Sequence, residues 1–308
     1  MNIKVTQRKK KVTLGLALGG GVARGWAHIG AIKALRDANI EPEIIAGTSI
    51  GALVGASFVT GNIDKLEQWA LTLNKNKVFN YLDLRWGGTS LIKGERLSLA
   101  LKAHLDNINI ENISQKFIAI TCDLESGDEI WLQSGSILEA IKASYALPGI
   151  FEPVQINGKY MIDGALVNPV PVSACRSLGA NIVIGIGLND YLGNTKSSYN
   201  KSSNQKPSKT FIQKMYDFRP EKLLLDTLFS NNPKTNKPKL GMVMIDALDI
   251  TMDRLARNCL AKNPADIYIT PNISHIGMLE FTKAEELINK GYEAVNKEIP
   301  TILDAINH

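Results

Sequence analysis

The stretch Gly47-Thr48-Ser49-Ile50-Gly51 decides how the first part of the chain folds, because it lies between a strand pattern and a helix pattern. Residues 43–46 are typical of a buried strand, and residues 49–59 of a helix that closes at Gly61. A serine between two glycines at such a junction matches the nucleophile-elbow pattern GxSxG. We expect the Ser49 hydroxyl to project over the carboxyl edge of a sheet, at a helix N-terminus, with a purely structural turn as the alternative.

A second strand–helix junction precedes this one along the chain. The apolar run Val12 to Leu18 ends at Gly19-Gly20-Gly21, and residues 22–39 carry apolar side chains at helical spacing. Strand, helix and strand in so short a stretch predict a parallel pair. The glycine run does not fit the dinucleotide pattern GxGxxG, and no Walker lysine follows it. If the glycine run lies beside Ser49, its backbone amides would suit an oxyanion hole. Arg24 would then orient the loop or bind a phosphate headgroup. The alternative is that the glycine run is only a phosphate-binding or close-packing turn.

Asp163 is the candidate proton acceptor for Ser49. It follows an apolar run that Asn157-Gly158 marks as the second strand of a β-hairpin, and Gly164 permits close backbone approach at the strand end. A carboxylate that is hydrogen-bonded to a serine can accept its proton when desolvation raises its basicity.

The four histidines are weaker candidates for the base. His28 lies on the helix after the glycine run and is expected to be a packing residue, whereas His275 remains the alternative third member of a triad. His104 lies in a polar helical stretch and His308 at the end of the chain.

The rest of the sequence predicts one large α/β domain over residues 12–308, with a basic tail at 1–11 and a polar, basic insertion at 190–240. The 44% hydrophobic and 21% charged composition excludes collagen, coiled coil and wholesale disorder. Further helices are predicted near 64–74, 94–106, 135–145, 171–178, 240–260 and 282–296, and further strands at 117–122, 129–132, 154–156, 160–162, 181–187 and 267–270.

The cysteines and the N-terminus indicate a cytoplasmic location. Peripheral contact of the cytoplasmic protein with a membrane is compatible with this prediction. The three cysteines lie more than fifty residues apart, so neither a disulfide framework nor a zinc site is expected. The N-terminus lacks the apolar core and cleavage site of a signal peptide. Residues 44–63 carry no charge, but polar residues dilute them, and a strand, turn and helix explain them better than a membrane span.

The net charge of +5 is unevenly distributed. Residues 190–240 carry +6 and residues 8–11 carry +4, which leaves a net −5 on the remaining chain. The excess is too small to predict nucleic-acid binding. Two basic segments on an acidic body are either solvated loops or a contact with anionic lipid.

These motifs, in this order, resemble the patatin-like phospholipase family, specifically its compact bacterial branch. Gly19 to Gly30 resembles the family's oxyanion-hole motif and helix, and residues 47–52 its nucleophile motif. Residues 121–127 and 143–151 are similar to two further blocks, and Asp163-Gly164-Ala165 to the DG(A/G) motif. The likeness covers roughly residues 12–190.

The resemblance implies a three-layer α/β/α fold with a mainly parallel central sheet, and hydrolysis of phospholipids or other acyl-ester lipids. It implies no metal and no cofactor. Ser49 would be the nucleophile, Asp163 its proton acceptor, and the amides of Gly20, Gly21 and Val22 the oxyanion hole. Val22 stands where many relatives have another glycine, and the 190–240 insertion has no counterpart, so substrate selectivity stays open.

Two other functions are left as alternatives. An α/β-hydrolase with a Ser-Asp-His triad is the nearest rival enzyme, although its elbow normally follows several strands and Ser49 follows only the second. A catalytically silent lipid- or protein-binding module of the same fold is the other.

Overall fold

A computed structural model describes residues 12–81, 90–92, 94–189 and 240–308. The predicted tail at 1–11 and residues 190–239 of the predicted insertion lie outside the described residues. The strands are β1 (Leu14–Leu18), β2 (Ile44–Thr48), β3 (Ser90–Ile92), β4 (Lys116–Asp123), β5 (Glu129–Leu132), β6 (Gly149–Phe151), β7 (Val154–Ile156), β8 (Lys159–Asp163), β9 (Ile182–Ile186) and β10 (Ile267–Ile269).

The α-helices alternate with these strands along most of the chain. They are α1 (Ala27–Asp37), α2 (Ile50–Val59), α3 (Ile63–Leu71), α4 (Lys75–Tyr81), α5 (Glu95–Leu105), α6 (Ile137–Ser144), α7 (Val172–Ser177), α8 (Leu240–Lys262) and α9 (Ala284–Asn307). Short 3-10 helices cover Val22–Trp26, Ile110–Asn112, Gly164–Leu166 and Phe281–Lys283.

The central sheet has the order β10-β9-β1-β2-β4-β8-β7, with β5 also paired to β4. From β10 to β4 every neighbouring pair is parallel, so the mainly parallel sheet predicted from the sequence is confirmed. Beyond β4 the pairing becomes antiparallel, because the β7–β8 hairpin lies at that edge. The β1–β2 pair is parallel, as the strand–helix–strand spacing predicts.

Helices cover both faces of the sheet, which confirms the three-layer architecture. Successive residues of a strand point to opposite faces. Thus Leu16 and Ile45 belong to one apolar core, shared with α1, α2, α3, α5, α6 and α9. Ala17 and Ile44 belong to a second core, shared with α7 and α8. Because both faces of the central strands are buried, their sequences are continuous apolar runs and do not alternate between apolar and polar residues.

Helices α1 and α9 approach each other unusually closely. A Cβ atom at Gly30 would lie 1.8 Å from the carbonyl oxygen of Ile288, and one at Gly291 would lie 1.8 Å from that of Ala27. Only glycine allows this contact between backbones. The contact fixes α9 against the helix that follows the glycine run.

Some element boundaries differ from the sequence-based expectation. The first predicted helix begins as a 3-10 turn at Val22–Trp26, because the chain leaves the glycine run with a positive φ of 53° at Val22. The last helix extends to Asn307 through Pro300. Strands β3 and β6, which pair with each other outside the central sheet, were not predicted. The uncharged stretch 44–63 forms β2, the elbow and α2, and no described helix is long and apolar enough to cross a membrane.

We expect Gly291→Ala to lower the free energy of unfolding by at least about 3 kcal/mol, because its Cβ would overlap the Ala27 carbonyl and force α9 away from α1. Urea denaturation followed by circular dichroism measures the change. Glu293→Ala, on the exposed side of the same helix, is the matched control and should change stability by less than about 1 kcal/mol. Equal effects of the two substitutions would contradict this account of the helix contact.

Candidate active site

Ser49 occupies the turn between β2 and α2 in a strained backbone conformation, with φ 57° and ψ −123°. Its flanking glycines are required by space: a Cβ at Gly47 would lie 2.5 Å from the backbone of Ala52, and one at Gly51 would lie 2.2 Å from the Leu18 carbonyl oxygen. The turn therefore has the geometry that the GxSxG pattern predicts. It presents a buried serine at the N-terminus of α2.

Asp163 lies at the end of β8, and its carboxylate meets the serine directly. Ser49 Oγ donates a hydrogen bond of 2.7 Å to Asp163 Oδ2. The other carboxylate oxygen, Oδ1, accepts a bond of 2.8 Å from the amide of Ala165. A Cβ at Gly164 would lie 2.3 Å from the carbonyl oxygen of Ile120, so glycine is needed for the backbone to turn here. The Asp-Gly pair thus holds one oxygen in place and directs the other at Ser49.

Burial dominates the electrostatics of this pair. Asp163 is 2% exposed, and desolvation raises its pKa from 3.8 to about 7, although the bonds from Ala165 and Ser49 partly oppose the rise. Among the described residues no lysine or arginine forms an ion pair with this carboxylate. A carboxylate in such surroundings is a much stronger base than one in water.

Ser144 is a buried residue of the site whose role the sequence analysis did not assign. Its hydroxyl accepts a bond of 2.8 Å from the amide of Ser49 and donates one of 2.6 Å to the carbonyl oxygen of Ile120. It thereby ties the strained elbow to β4, next to the strand that carries Asp163. The only sequence signal for it is its place at the end of α6, in the block 143–151.

The glycine run lies beside the serine, but its amides are not equivalent. A Cβ at Gly20 would lie 3.5 Å from that of Ser49, yet the Gly20 amide donates a bond of 3.0 Å to the Pro169 carbonyl. In the part of the chain that the structure describes, the amides of Gly21 and Val22 have no backbone acceptor. These two amides are therefore better available to an oxyanion than that of Gly20.

Arg24 holds the segment after the glycine run in position. Its Nε donates a bond of 2.8 Å to the Ile276 carbonyl, and its guanidinium also donates to the side chain of Asn189. These contacts connect the 3-10 turn to two other segments of the chain. The geometry favours the loop-orienting interpretation of Arg24 over direct headgroup binding.

Neither His28 nor His275 hydrogen-bonds to the serine–aspartate pair. His28 is fully buried, its Nε2 lies 2.8 Å from the Gly19 carbonyl, and burial lowers its pKa to about 4, so it stays neutral. His275 is half-exposed and pairs with Glu286 at 2.8 Å. The histidine that a triad requires is therefore not between Ser49 and Asp163, which bond directly to each other.

An apolar pocket of about 140 Å³ opens beside Ser49 and Asp163. Its walls come from distant parts of the sequence, including the 3-10 turn, α2, α3, the segment after α6, and α8; they include Trp26, Leu53, Trp69, Tyr145, Phe151 and Met252. Over the described ranges no three His, Cys, Asp or Glu side chains are placed to hold a metal ion. The site thus combines one polar pair with an apolar chamber.

Comparison with known families identifies the family to which this fold belongs. A family model described as patatin-like phospholipase matches residues 16–176, just over half of the chain. The chain belongs to the patatin-like phospholipase family. The matched range contains the glycine run, the elbow, Ser144 and Asp163.

Individual relatives are similar to this chain at moderate identity. An uncharacterised NTE family protein of Mycobacterium tuberculosis is 29% identical over 90% of this chain and 88% of its own length. A lysophospholipase of Aspergillus fumigatus is 29% identical over 91% of this chain, which spans only 18% of that longer protein. The crystal structure of VipD from Legionella pneumophila aligns with 97% of this chain and 72% of its own, at 14% identity and a TM-score of 0.43.

We expect Asp163→Asn to raise the free energy of unfolding at about pH 8 and to leave it nearly unchanged at about pH 4. Because the folded pKa of about 7 lies above the ordinary 3.8, the folded state binds the proton more tightly, and ionisation costs stability as the pH rises between these values. At about 1.4 kcal/mol per pKa unit, the largest gain is about 4 kcal/mol. Urea denaturation at both pH values measures the gain.

Asp304→Asn is the control for this prediction, because Asp304 is an exposed carboxylate in a surface pair with His308. Its substitution should show no comparable gain. An Asp163→Asn protein whose stability difference from the wild type is the same at both pH values would contradict the buried-carboxylate account.

Proposed function

We propose that this protein is a serine hydrolase of lipid acyl esters, of the phospholipase A, lysophospholipase or carboxylesterase type, that uses Ser49 and Asp163 as a catalytic dyad. The hydrogen bond of 2.7 Å between Ser49 Oγ and Asp163 Oδ2, buried at one side of an apolar pocket, carries the proposal. Membership of the patatin-like phospholipase family supports a lipid acyl hydrolase in general. In this proposal residues 12–308 form one catalytic domain that contains the 190–240 insertion.

The reaction begins with transfer of the Ser49 proton to Asp163. As the proton leaves, Oγ attacks the ester carbonyl carbon, and the carbonyl oxygen becomes a tetrahedral oxyanion that the amides of Gly21 and Val22 face. Collapse of this intermediate breaks the bond to the leaving alcohol, which takes the proton from Asp163. Water then attacks the acyl-enzyme with Asp163 as base, and the fatty acid leaves with Ser49 restored.

The raised pKa of Asp163 suits it to both steps. A group with a pKa of about 7 is a stronger base than an exposed carboxylate and still gives the proton to the leaving alcohol. The ionised form is the one that starts the reaction. The interactions with Ala165 and Ser49 keep this base aligned while it is charged.

The pocket indicates an apolar acyl group as the part of the substrate that it holds. Its walls are aromatic and aliphatic apart from the dyad itself. The fungal relative named as a lysophospholipase supports a phospholipid or lysophospholipid among the substrates. We propose no metal and no cofactor, because serine, aspartate and backbone amides supply each step.

We expect Ser49→Ala and Asp163→Asn each to lower kcat for a p-nitrophenyl ester and for a phospholipid by at least about a thousandfold, because each removes a partner of the same proton transfer. Ser177→Ala, an exposed serine of α7, is the matched control and should keep full activity. Circular dichroism of each variant verifies folding.

Two results would favour the alternative functions. An active Asp163→Asn protein that loses its activity when His275 is replaced would indicate a Ser-Asp-His triad. A folded wild type that turns over no ester or phospholipid would favour a silent binding module.

We further propose that the protein lies in the cytoplasm and makes peripheral contact with anionic membranes through one face of α8. Val243, Met244 and Ile250 are among the most exposed large apolar side chains of the described residues. From the same helix, Leu248 and Met252 line the pocket, so α8 would connect the membrane contact with the acyl pocket. The basic segment 190–240 immediately precedes this helix, and each basic residue near an anionic surface contributes about 1 kcal/mol.

We expect the wild type to bind phosphatidylserine-containing vesicles more tightly than phosphatidylcholine vesicles, with binding that weakens as salt is added. Val243→Asp with Ile250→Asp should weaken sedimentation with the anionic vesicles at least about fivefold, because it introduces charge on the apolar face. Leu303→Asp alters an exposed apolar residue of α9 and should leave binding unchanged. Vesicle binding whose strength does not depend on anionic lipid content or on salt concentration would refute the proposal.

A further inference from the structure

Trp69 lines both the catalytic pocket and a second cavity. The second cavity has a volume of about 20 Å³ and is lined by Ser57, Asn62, Leu66, Trp69, Ala100, Leu101 and Leu105. Among the described residues, Trp69 is the one that lines both this cavity and the pocket beside Ser49. The two spaces are therefore neighbours that share this residue.

Helix α2 places the two cavities in line with Ser49. Ile50 and Leu53 line the catalytic pocket, and Ser57 lines the second cavity. Their spacing of three and four residues puts them on one face of the helix. Ser57 follows Ser49 by eight residues, so it lies about 12 Å further along the helix axis. A chain that leaves the acyl carbon along this face runs towards Trp69.

The indole of Trp69 is held in place from two sides. Its ring meets that of Trp26 edge-on, with centroids 5.9 Å apart and planes at 82°. On the other side it meets Tyr81 at 5.4 Å, and its Nε1 donates a bond of 3.1 Å to the Tyr81 hydroxyl. Edge-to-face contacts of this kind fix ring orientation. Trp69 is partly exposed, and these contacts pack its ring against the apolar core.

We propose that Trp69 closes the inner end of the acyl pocket and sets the length of acyl chain that the enzyme prefers. The proposal rests on the function proposed above. A pocket of about 140 Å³ is similar in size to an apolar cavity of about 150 Å³ that accommodates benzene, so it holds roughly six carbon atoms. Removal of the indole joins the pocket to the second cavity and lets a longer chain continue along α2.

The test compares kcat/KM for p-nitrophenyl butyrate, octanoate and palmitate. We expect Trp69→Ala to raise the ratio of palmitate to butyrate at least about tenfold over the wild type, because even one methylene accepted by an apolar pocket changes kcat/KM by about tenfold or more. Trp69→Leu, which leaves an apolar side chain in the wall, should shift the ratio in the same direction by a smaller factor. If Trp69→Ala fails to fold, Trp69→Leu tests the proposal in its place.

Two variants separate the wall from general loosening of the site. Leu101→Ala enlarges the second cavity while the indole stays in place, so the chain-length profile should remain that of the wild type. Ala100→Phe, added to Trp69→Ala, fills the second cavity again and should return the ratio towards the wild-type value. A folded, active Trp69→Ala protein with an unchanged profile, or an equal shift in Leu101→Ala, overturns the proposal.

A binding measurement distinguishes failure of this proposal from failure of the proposed function. Calorimetry with octanoate and palmitate uses Ser49→Ala and the double variant Ser49→Ala/Trp69→Ala, so it requires no turnover. We expect the second substitution to raise palmitate affinity at least about tenfold relative to octanoate. If the wild type hydrolyses no ester but the change in palmitate affinity is present, the proposed hydrolase function is wrong and the proposed role of Trp69 in the pocket is supported. If esters are hydrolysed but the shift is absent, the wall proposal fails alone.

Discussion

The feature on which the rest of the site depends is a buried carboxylate that has no ion-pair partner among the described residues. Asp163 accepts hydrogen bonds from the hydroxyl of Ser49 and the amide of Ala165. Two such bonds stabilise the ionised form, but burial outweighs them and raises the pKa to about 7. An arginine in the same place would stabilise the fold and lower the basicity of the carboxylate. The structure instead keeps a strong base, at a cost in stability that the large core has to offset.

This arrangement requires two turns to meet within hydrogen-bonding distance, and glycine makes the meeting possible. Gly47 and Gly51 allow the elbow to fit under β1, and Gly164 allows the Asp163 turn to pass the carbonyl of Ile120. Parallel pairing of β1, β2 and β4 brings the carboxyl ends of these strands to one edge. Close packing at that edge is therefore a condition of the chemistry as well as of the fold.

Backbone strain is concentrated at the same edge. Ser49 has a positive φ, as the elbow pattern predicts. Val22 also has a positive φ, of 53°, which is rare for a β-branched residue. Such conformations persist only where the surrounding packing determines them. Contacts of Arg24 with the Ile276 carbonyl and Asn189, close to this turn in sequence, are part of that packing.

The local sequence could predict much of this site because each motif reports a short-range constraint. GxSxG at a strand–helix junction predicts the elbow, and the Asp-Gly pair after a hairpin predicts a carboxylate at a strand end. The strand–helix–strand spacing predicts the parallel β1–β2 pair, and the mainly parallel sheet is what the family resemblance implies. Ser144 could not be found in this way, since its bond to the Ser49 amide joins residues that are 95 positions apart. The hydrogen bond from the Gly20 amide to the Pro169 carbonyl likewise joins residues that are far apart in the sequence.

The pocket is the part that sequence reasoning could not reach, and the reason is physical. A catalytic dyad needs two groups at a fixed distance and orientation, so its residues must lie in motifs that tolerate few other residue types. A pocket wall needs only apolar volume in the right place, which many residues on many elements can supply. Here the wall is assembled from turns and helices between Val22 and Phe281. Substitutions in it leave the Ser49–Asp163 bond untouched, so substrate preference can change in this architecture while the catalytic geometry stays constant.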